Sequence, residues 1–336
     1  MKFYRFPKPD GIDTLMLAER DTPRPARGQV LVRMRAASLN YRDLMVASGR
    51  YARGAAPENL VPLSDGAGEV VETGPDVTRV KPGDRVAGIF MQRWIDGAPN
   101  REKAASALGG AIDGVLREYM VFHQDGLVVV PDYLTDTEAA TLPCTGVTAW
   151  HALFEERPAK PGETVVILGT GGVAIFALQF AALAGLNSIV LSSSNDKLER
   201  ARAMGATHTV NYRENPDWEK SVRSLTEEGA DHVVELGGAD TLPRSLKAIR
   251  MGGTISVIGA LGGGDPNISP VPILMQSIRL QGIYVGSRTM FENMNRTLAL
   301  KQVRPVVDRV FPWQDVQNAM RYMQQQKHFG KICLEF

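Results

Sequence analysis

The sequence predicts an α/β protein in which a mostly antiparallel β domain is joined to a doubly wound, parallel sheet of six strands. Three observations support this prediction. Short strand-like segments bounded by Gly, Pro or Asp fill the first third of the chain. From about Thr164, buried strands alternate with helix-length segments, and a glycine-rich turn follows the first of those strands. At 336 residues, the chain is long enough to form two cores.

Composition and charge argue against several classes of protein. The 38 Lys and Arg residues nearly balance the 37 Asp and Glu residues, so the bulk charge indicates no nucleic-acid partner. Two cysteines, Cys144 and Cys333, cannot form a disulfide framework or a four-cysteine zinc site, which favours a reducing, cytoplasmic location. The start of the chain lacks the apolar core of a signal peptide, and the apolar stretch 171–186 is too short to span a membrane. We therefore expect a soluble protein with a small-molecule substrate.

The elements follow one another in two patterns. The antiparallel strands are predicted from the segments QVLVRMRAASL, GAGEVVETG and DRVAGIF. Residues 91–115 lose this periodicity and predict a long loop or lobe. The parallel strands are predicted from TVVILG, SIVLS, THTVN, DHVVEL, GTISVIG and RLQGIYVG. The helical segments between them are long enough for right-handed crossovers, and the chain ends in the strand-like KICLEF.

The glycine-rich turn GTGGVA lies between the strand TVVILG and a helix, which is the context of a dinucleotide site. Gly169 permits the tight turn, and Gly171 allows the backbone to approach a pyrophosphate. Ala174 is small enough for the helix to pack on the strand. The backbone amides of Gly172 and Val173 would then face the phosphates at the helix N-terminus.

The end of the second parallel strand indicates which dinucleotide is expected. An NAD site usually has Asp or Glu there, whereas this chain has Ser192, Ser193 and Ser194, followed by Lys197. Hydroxyls and a cation suit a 2′-phosphate, and Tyr212 after the third strand adds another donor. We therefore predict NADP(H), with NAD(H) as the alternative because serines do not forbid it. In the other interpretation, the serines cap the next helix and Lys197 is solvated.

Taken together, the motifs resemble the medium-chain dehydrogenase/reductase superfamily. The resemblance covers essentially the whole chain and rests on VKPGDRV, LPCTGVTAWHAL, GTGGVA and HFGKI. It implies a GroES-like catalytic domain at residues 1–142 and 285–336 and a Rossmann domain at residues 143–284, with nicotinamide meeting substrate in a cleft. It also implies a homodimer or homotetramer in which RLQGIYVG pairs between subunits.

The chain departs from the zinc alcohol dehydrogenase branch of that superfamily. Where the branch has a zinc-ligand Cys, this chain has Asn40, and the G-H-E motif reads Leu63, Ser64 and Asp65. Cys144 matches the remaining Cys ligand, but one thiolate with Asn and Ser does not make a zinc site. Asp65 is a ligand in principle. We expect no zinc, and the NYRD segment is similar instead to quinone oxidoreductases and enoyl reductases.

The absence of zinc ligands bears on the expected reaction. Hydride transfer to an isolated carbonyl builds an alkoxide charge that zinc would stabilise. A quinone or an α,β-unsaturated carbonyl spreads that charge, so hydrogen-bond donors suffice. We therefore predict an NADPH-dependent reductase of conjugated acceptors. The alternatives are an alcohol or aldehyde dehydrogenase of the same superfamily and a non-catalytic nucleotide-binding sensor.

The resemblance also implies roles for particular residues. Tyr41 is the expected donor to the substrate carbonyl or α-carbon, with packing between the domains as the alternative. Asn40 is expected at the substrate or the nicotinamide ribose, and Asp43 is expected to pair locally with Arg42. The remaining coenzyme contacts, with Lys331 at a phosphate or amide, are expected from Thr145, Thr148, Gly259, Ala260, Ile283, Val285 and Lys331.

Three aromatic residues and one methionine, in and before the predicted lobe, have two interpretations. Tyr51, Phe90, Met91 and Trp94 predict either the wall of an aromatic pocket or the packing of the lobe itself.

Overall fold

The computed structural model describes residues 1–51, 57–259 and 268–336. These residues form two compact units. The first comprises Met1–Val147 and Val285–Phe336, and the second comprises Thr148–Tyr284. The sequence places the corresponding boundaries after residues 142 and 284. Within the described ranges, no helix combines the length and the apolar character needed to cross a membrane.

The first unit is built on a mixed sheet. Numbered in chain order over the described residues, its strands are β1 (Lys2–Arg5), β2 (Met16–Glu19), β3 (Gln29–Ser38), β4 (Asp65–Thr73), β5 (Arg85–Gly88), β6 (Tyr119–His123), β7 (Leu127–Val129), β14 (Val307–Pro312) and β15 (Lys331–Glu335). The strand order is β14-β15-β3-β4-β5-β7, β6 also pairs with β3, and β1 pairs with β2. All these pairs are antiparallel except β14 with β15. The predicted, mostly antiparallel sheet is confirmed.

Short helices and a lobe surround this sheet. The helices are α1 (Tyr41–Ala47), α2 (Arg101–Ala104), α3 (Asp136–Ala139), α10 (Arg288–Lys301) and α11 (Val316–Gln324), with a π-helical turn at Leu142–Gly146. Residues 91–115 form the predicted lobe, with α2 inside it. Phe90, Met91 and Trp94 are at most 1% exposed, so they pack the lobe rather than line an open wall.

The second unit contains the predicted parallel sheet. Its strands are β8 (Thr164–Leu168), β9 (Asn187–Ser192), β10 (His208–Asn211), β11 (Ala230–Glu235), β12 (Ile249–Val257) and β13 (Arg279–Gly282). They pair in parallel in the order β10-β9-β8-β11-β12-β13, which confirms the doubly wound sheet. The strand order reverses between β8 and β11, and ligands of such sheets bind at the carboxyl ends of the strands at this point.

Helices α4 (Val147–Phe154), α5 (Gly172–Leu183), α6 (Asn195–Ala203), α7 (Trp218–Thr226), α8 (Leu242–Ala248) and α9 (Val271–Met275) complete the chain order. Helix α5 has buried residues around most of its circumference, as expected for a central helix. The segment TLPRSLKAIRMG predicts a helix that continues to Gly252, but the structure ends α8 at Ala248. The reason is that Ile249 is fully buried and pairs with Ala230 of β11.

An ionic cluster lies where β8 begins. The carboxylate of Glu163 accepts hydrogen bonds from the Arg157 guanidinium at 2.9 and 3.2 Å and from the Lys160 amide at 2.9 Å. It also contacts His232 Nε2 at 2.9 Å. Burial raises the pKa of Glu163, but these hydrogen bonds outweigh burial and lower the pKa to about 2.

We predict that Glu163→Gln lowers the free energy of unfolding by about 1–3 kcal/mol at neutral pH. Because the folded-state pKa lies below the ordinary value of 4.5, the ionised carboxylate stabilises the fold above about pH 4.5. That contribution is lost as pH falls towards 2, so the wild type and the variant should converge in this window. Urea titrations across the window measure the difference. The control is Glu58→Gln at an exposed position, and a pH-independent difference would contradict the assignment.

Candidate functional site

The glycine-rich turn has the backbone geometry that a dinucleotide needs. Gly169 has φ +83°, in the left-handed region that favours glycine. Gly171 precedes α5, and a Cβ atom built on it would meet no atom within 4 Å, so the space beside its backbone is open. Ala174 is 1% exposed and packs against the unit's interior. A pyrophosphate therefore fits beside this turn.

The N-terminus of α5 adds hydrogen-bond donors to the same turn. Gly171 is the N-cap residue, and no side chain caps the helix there. The first-turn amides of Gly172 and Val173 accordingly lack a side-chain acceptor, and helix N-termini bind phosphate well. These residues fit the phosphates of a nicotinamide dinucleotide.

The serines at the end of β9 and directly after it have local hydrogen bonds. Ser192 is buried, and its hydroxyl accepts a hydrogen bond from the Ser194 amide at 3.3 Å. Ser194 caps α6, because its hydroxyl accepts from the Lys197 amide at 3.4 Å. Ser193 is half-buried, and Tyr212 is 41% exposed. The structure thus brings these residues to the carboxyl end of β9, with capping as one of their roles.

The structure also places a carboxylate at this end of the sheet that sequence reasoning missed. Glu214 Oε1 accepts hydrogen bonds from the side-chain amides of Asn195 at 2.7 Å and Asn211 at 3.1 Å. Asn195 follows Ser194 directly, so an acidic group lies near the serine turn without being part of β9. No local pattern marks Glu214, because the ribose-binding acid is expected at the end of the second strand.

Four further predicted coenzyme residues lie in tight surroundings. The Thr145 hydroxyl donates to Thr141 O at 3.0 Å, and Thr148 is 2% exposed. A Cβ on Gly259 would lie 2.1 Å from Leu236 O, so this position requires glycine. Ile283 is 7% exposed. Ala260 lies outside the described residues.

Val285 has a strained backbone. Its φ is +58°, which is rare for a β-branched residue, and its side chain is 6% exposed. Strain of this kind is concentrated at functional sites, where the surrounding structure enforces it. The position near the nicotinamide ring that the resemblance implies for Val285 stays a prediction.

The first unit contains a cluster of polar side chains, called the polar cluster here, made of Asn40, Arg42, Asp43, Ser64, Asp65, Cys144 and Lys331. Asn40 lies just before α1, and its amide has partners at both ends. Lys331 Nζ donates to Asn40 Oδ1 at 2.6 Å, and Asn40 Nδ2 donates to Ser64 Oγ at 3.4 Å. This differs from the expectation that Asn40 faces the substrate or ribose and that Lys331 contacts a phosphate or amide at the coenzyme. Lys331 is 2% exposed, and its ammonium is bound inside the first unit.

Asp65 is the acceptor at the centre of the polar cluster. The Ser64 hydroxyl donates to Asp65 Oδ1 at 2.7 Å, and the Cys144 amide donates to Asp65 Oδ2 at 3.1 Å. Burial raises the pKa of Asp65, and the Lys331 ammonium acts in the opposite direction. Burial and the Asp65 carboxylate both raise the pKa of the Cys144 thiol, which disfavours a thiolate.

Arg42 pairs with Asp43, as expected. Its guanidinium lies 3.4 Å from the Asp43 carboxylate and donates to Leu108 O at 3.0 Å and Gly109 O at 3.3 Å. It also lies over the rings of Tyr51 and Phe90, with centroids at 4.4 and 4.9 Å. Burial raises the pKa of Asp43 to about 6 despite the attraction of Arg42. The lobe thus supplies two of these five contacts, the carbonyls of Leu108 and Gly109.

A strained turn presents Ser64 and Asp65. Leu63 has φ +67° and is fully buried. A Cβ on Gly109 would lie 2.5 Å from the Leu63 carbonyl, and one on Gly114 would lie 1.9 Å from its oxygen. These two lobe glycines therefore allow the lobe backbone to pack directly on the turn.

Tyr41 lies apart from the polar cluster. It begins α1, and its side chain is 40% exposed. It lines a cavity of about 320 Å³ with Leu44, Arg50 and Gln324, and the lining includes no member of the polar cluster. The structure therefore does not bring Tyr41 together with Asn40, although the two are adjacent in sequence.

Comparisons with known proteins match both units. The alcohol dehydrogenase GroES-like domain matches residues 26–132, and the zinc-binding dehydrogenase domain matches residues 172–299. A zinc-type alcohol dehydrogenase-like protein of Schizosaccharomyces pombe is 44% identical, covering 97% of this chain and 96% of its own. A candidate alcohol dehydrogenase from Sinorhizobium meliloti 1021, of known structure, is 40% identical with TM-score 0.92, covering 100% of this chain and 99% of its own. The structure of an NAD-dependent alcohol dehydrogenase is 32% identical with TM-score 0.91, covering 100% of both chains.

The polar cluster does not fit the zinc ion that these similarities imply. A zinc site needs three strong ligands, and Asn40 and Ser64 are weak ones. Asp65 already accepts hydrogen bonds from the Ser64 hydroxyl and the Cys144 amide. Across residues 1–51, 57–259 and 268–336, no three His, Cys, Asp or Glu side chains converge as a metal site.

Proposed function

Because the chain belongs to the medium-chain dehydrogenase/reductase superfamily, as an alcohol dehydrogenase-like oxidoreductase with a nicotinamide coenzyme, we propose that it reduces quinones or α,β-unsaturated carbonyls with NADPH and without zinc.

The polar cluster is the observation that carries this proposal. Its two carboxylates, Asp43 and Asp65, are accompanied by Arg42 and Lys331, so the buried charges balance without a metal. A site of this kind offers no Lewis acid for the alkoxide that forms from an isolated carbonyl. Conjugated acceptors need less stabilisation, because the developing negative charge is delocalised over an enolate or phenolate.

In this proposal, the chain's own residues bind the coenzyme and orient the substrate. The nicotinamide supplies the hydride when the coenzyme is bound. Gly171 and the first-turn amides of α5 hold the pyrophosphate, and the strained Val285 backbone fixes a wall near the ring. Tyr41 is the candidate donor to the substrate, since its side chain is accessible and a phenol can donate a hydrogen bond or a proton.

Residues near the carboxyl end of β9 bear on the choice between NADPH and NADH in opposite directions. Ser193, Lys197 and Tyr212 surround the carboxyl end of β9 with donors, which favours NADPH. Glu214 near the serine turn favours the unphosphorylated ribose of NADH, and one similar structure is that of an NAD-dependent enzyme. We place NADPH first because the carboxylate of Glu214 is already hydrogen bonded by two amides.

Alcohol or aldehyde oxidoreduction is the second candidate function, since the similar proteins include alcohol dehydrogenases. In that case donors such as Tyr41 would have to stabilise the alkoxide alone. A nucleotide-binding sensor without turnover is the third, and the same assay distinguishes all three.

We predict that metal-stripped protein oxidises NADPH with 1,4-benzoquinone or methyl vinyl ketone, and that added zinc does not change the rate. The physical reason is that neither acceptor requires a Lewis acid. The loss of NADPH absorbance measures turnover, and a simple aldehyde serves as the isolated-carbonyl comparison. Activity confined to the aldehyde and restored by zinc would contradict the proposal, whereas coenzyme binding with no turnover would support the sensor.

We predict that Ser193→Asp lowers kcat/KM for NADPH at least about tenfold, because a carboxylate repels the 2′-phosphate. The value for NADH should fall less or rise. Steady-state kinetics with one acceptor and both coenzymes give the ratio. Ser224→Asp, an exposed position on α7, controls for added negative charge. A wild type that prefers NADH, or an unchanged ratio in the variant, would refute the NADPH preference.

We also propose that two copies pair through the edge of the parallel sheet. β13 is the last strand in the order, and apolar side chains near this edge are exposed: Val271 at 59%, Leu274 at 77% and Met275 at 68%.

We predict that Leu274→Glu shifts the mass measured by light scattering from two or four chains towards a smaller assembly, because it places a charge in an apolar contact. Leu300→Glu is the matched control, since Leu300 is 78% exposed on α10 of the other unit. A wild-type monomer would rule out this assembly.

A further inference from the structure

The cavity of about 320 Å³ that Tyr41 lines, called the Tyr41 cavity here, lies within the first unit. One of its walls is a single face of α1 and the residue after it. Tyr41, Leu44, Met45 and Ser48 line the cavity and follow one another at the spacing that places side chains on the same side of a helix. The other walls come from the short helical turn that begins at Ile12 and from the C-terminal end of α11.

Hydrogen bonds hold these walls together. The Gly11 amide donates to Ala47 O of α1 at 2.7 Å. Gln317 Nε2 of α11 donates to Ile12 O at 3.2 Å and to Leu15 O at 3.3 Å. The walls are therefore fixed to one another before any ligand arrives, which lowers the cost of ordering them on binding.

The lining of the Tyr41 cavity combines apolar side chains with two available polar groups. Of the described residues that line it, Arg50 alone carries a charge. Arg50 Nε donates to Ser48 Oγ at 3.0 Å, but neither terminal nitrogen of its guanidinium hydrogen bonds to a described residue. The same is true of the Tyr41 hydroxyl, which is accessible. An apolar lining with a few polar groups is typical of small-molecule sites, so the phenol and the guanidinium are available to a ligand.

We propose that the Tyr41 cavity binds a conjugated acceptor that carries a carboxylate, and that Arg50 selects this acceptor by binding the carboxylate. The inference rests on the proposed function, in which Tyr41 is the donor to the acceptor. A guanidinium binds a carboxylate through two parallel, charge-assisted hydrogen bonds. A phosphate fits less well, because its second negative charge would meet no second cation among the described lining residues. Leu44 and Met45 would contact the aliphatic chain between the two polar ends of the acceptor.

The reaction itself is the reduction of a carbon–carbon double bond. The β-carbon of the enone receives a hydride from NADPH and the α-carbon receives a proton, so the enone and NADPH give a saturated ketone and NADP⁺. Arg50 contacts only the carboxylate and takes part in neither transfer. It therefore determines which acceptor binds, and its removal should act on acceptor discrimination.

A matched pair of acceptors, 6-oxooct-7-enoate and its methyl ester, tests the inference, because both carry the same enone and differ in charge at the far end. The wild-type kcat/KM should be at least about fivefold higher for the carboxylate, as expected for one charge-assisted contact at an accessible position. Arg50→Met should bring the ratio to about one, whereas Arg50→Lys should keep part of it because the charge remains. Arg24→Met is the matched control, since the Arg24 side chain is 88% exposed and does not line the cavity.

Binding of the reduced product, 6-oxooctanoate, supplies a second measurement that does not depend on turnover. In calorimetric titrations with NADP⁺ present, the wild type should bind it at least about fivefold more tightly than its methyl ester, and Arg50→Met should bind the two equally. A wild-type ratio near one, or an Arg50→Met variant that changes only the KM for NADPH, would overturn the inference. Charge-dependent binding without turnover of any conjugated acceptor would support the inference and contradict the proposed function.

Discussion

The burial of two carboxylates is the constraint on which the first unit depends. Asp43 and Asp65 are at most 1% exposed, and buried charges persist only when they are paired and hydrogen bonded. Their counter-charges are held from distant parts of the chain: the lobe carbonyls fix Arg42, and β15 delivers Lys331. The strands, the lobe and the C-terminal strand must therefore assemble together, because each one alone would leave a charge without its partner.

The candidate coenzyme turn and the polar cluster rest on different physical features. The coenzyme turn of the second unit offers backbone amides and the open space beside Gly171. It therefore depends on the absence of a side chain at Gly171. The polar cluster of the first unit depends on its charged side chains. A larger residue at Gly171 would therefore damage the turn, whereas the loss of a charged side chain would damage the polar cluster.

The predictable parts of this molecule are those that are local in sequence. The parallel strands and the glycine turn were predictable because an apolar run and its flanking glycines lie within a few residues. The contact of Lys331 with Asn40 was not, because the residues are 291 positions apart and meet through the pairing of β15 with β3. Glu214 was missed for a similar reason, since two asparagines from different segments orient its carboxylate. The C-terminal end of α8 was misplaced because the burial of Ile249 overrides helical propensity.

The left-handed turn at Leu63 has a consequence for how this chain can evolve. A non-glycine residue in that conformation costs about 1–3 kcal/mol, which glycine would recover. Leu63 is also fully buried, and deleting such a side chain typically costs about 2–5 kcal/mol through the cavity it leaves. At the middle of these two ranges, exchanging Leu63 for glycine loses more stability than it gains. Leu63→Gly alone is therefore expected to destabilise the fold. Glycine becomes tolerable at this position only when a neighbouring residue is also replaced by a larger one that fills the cavity.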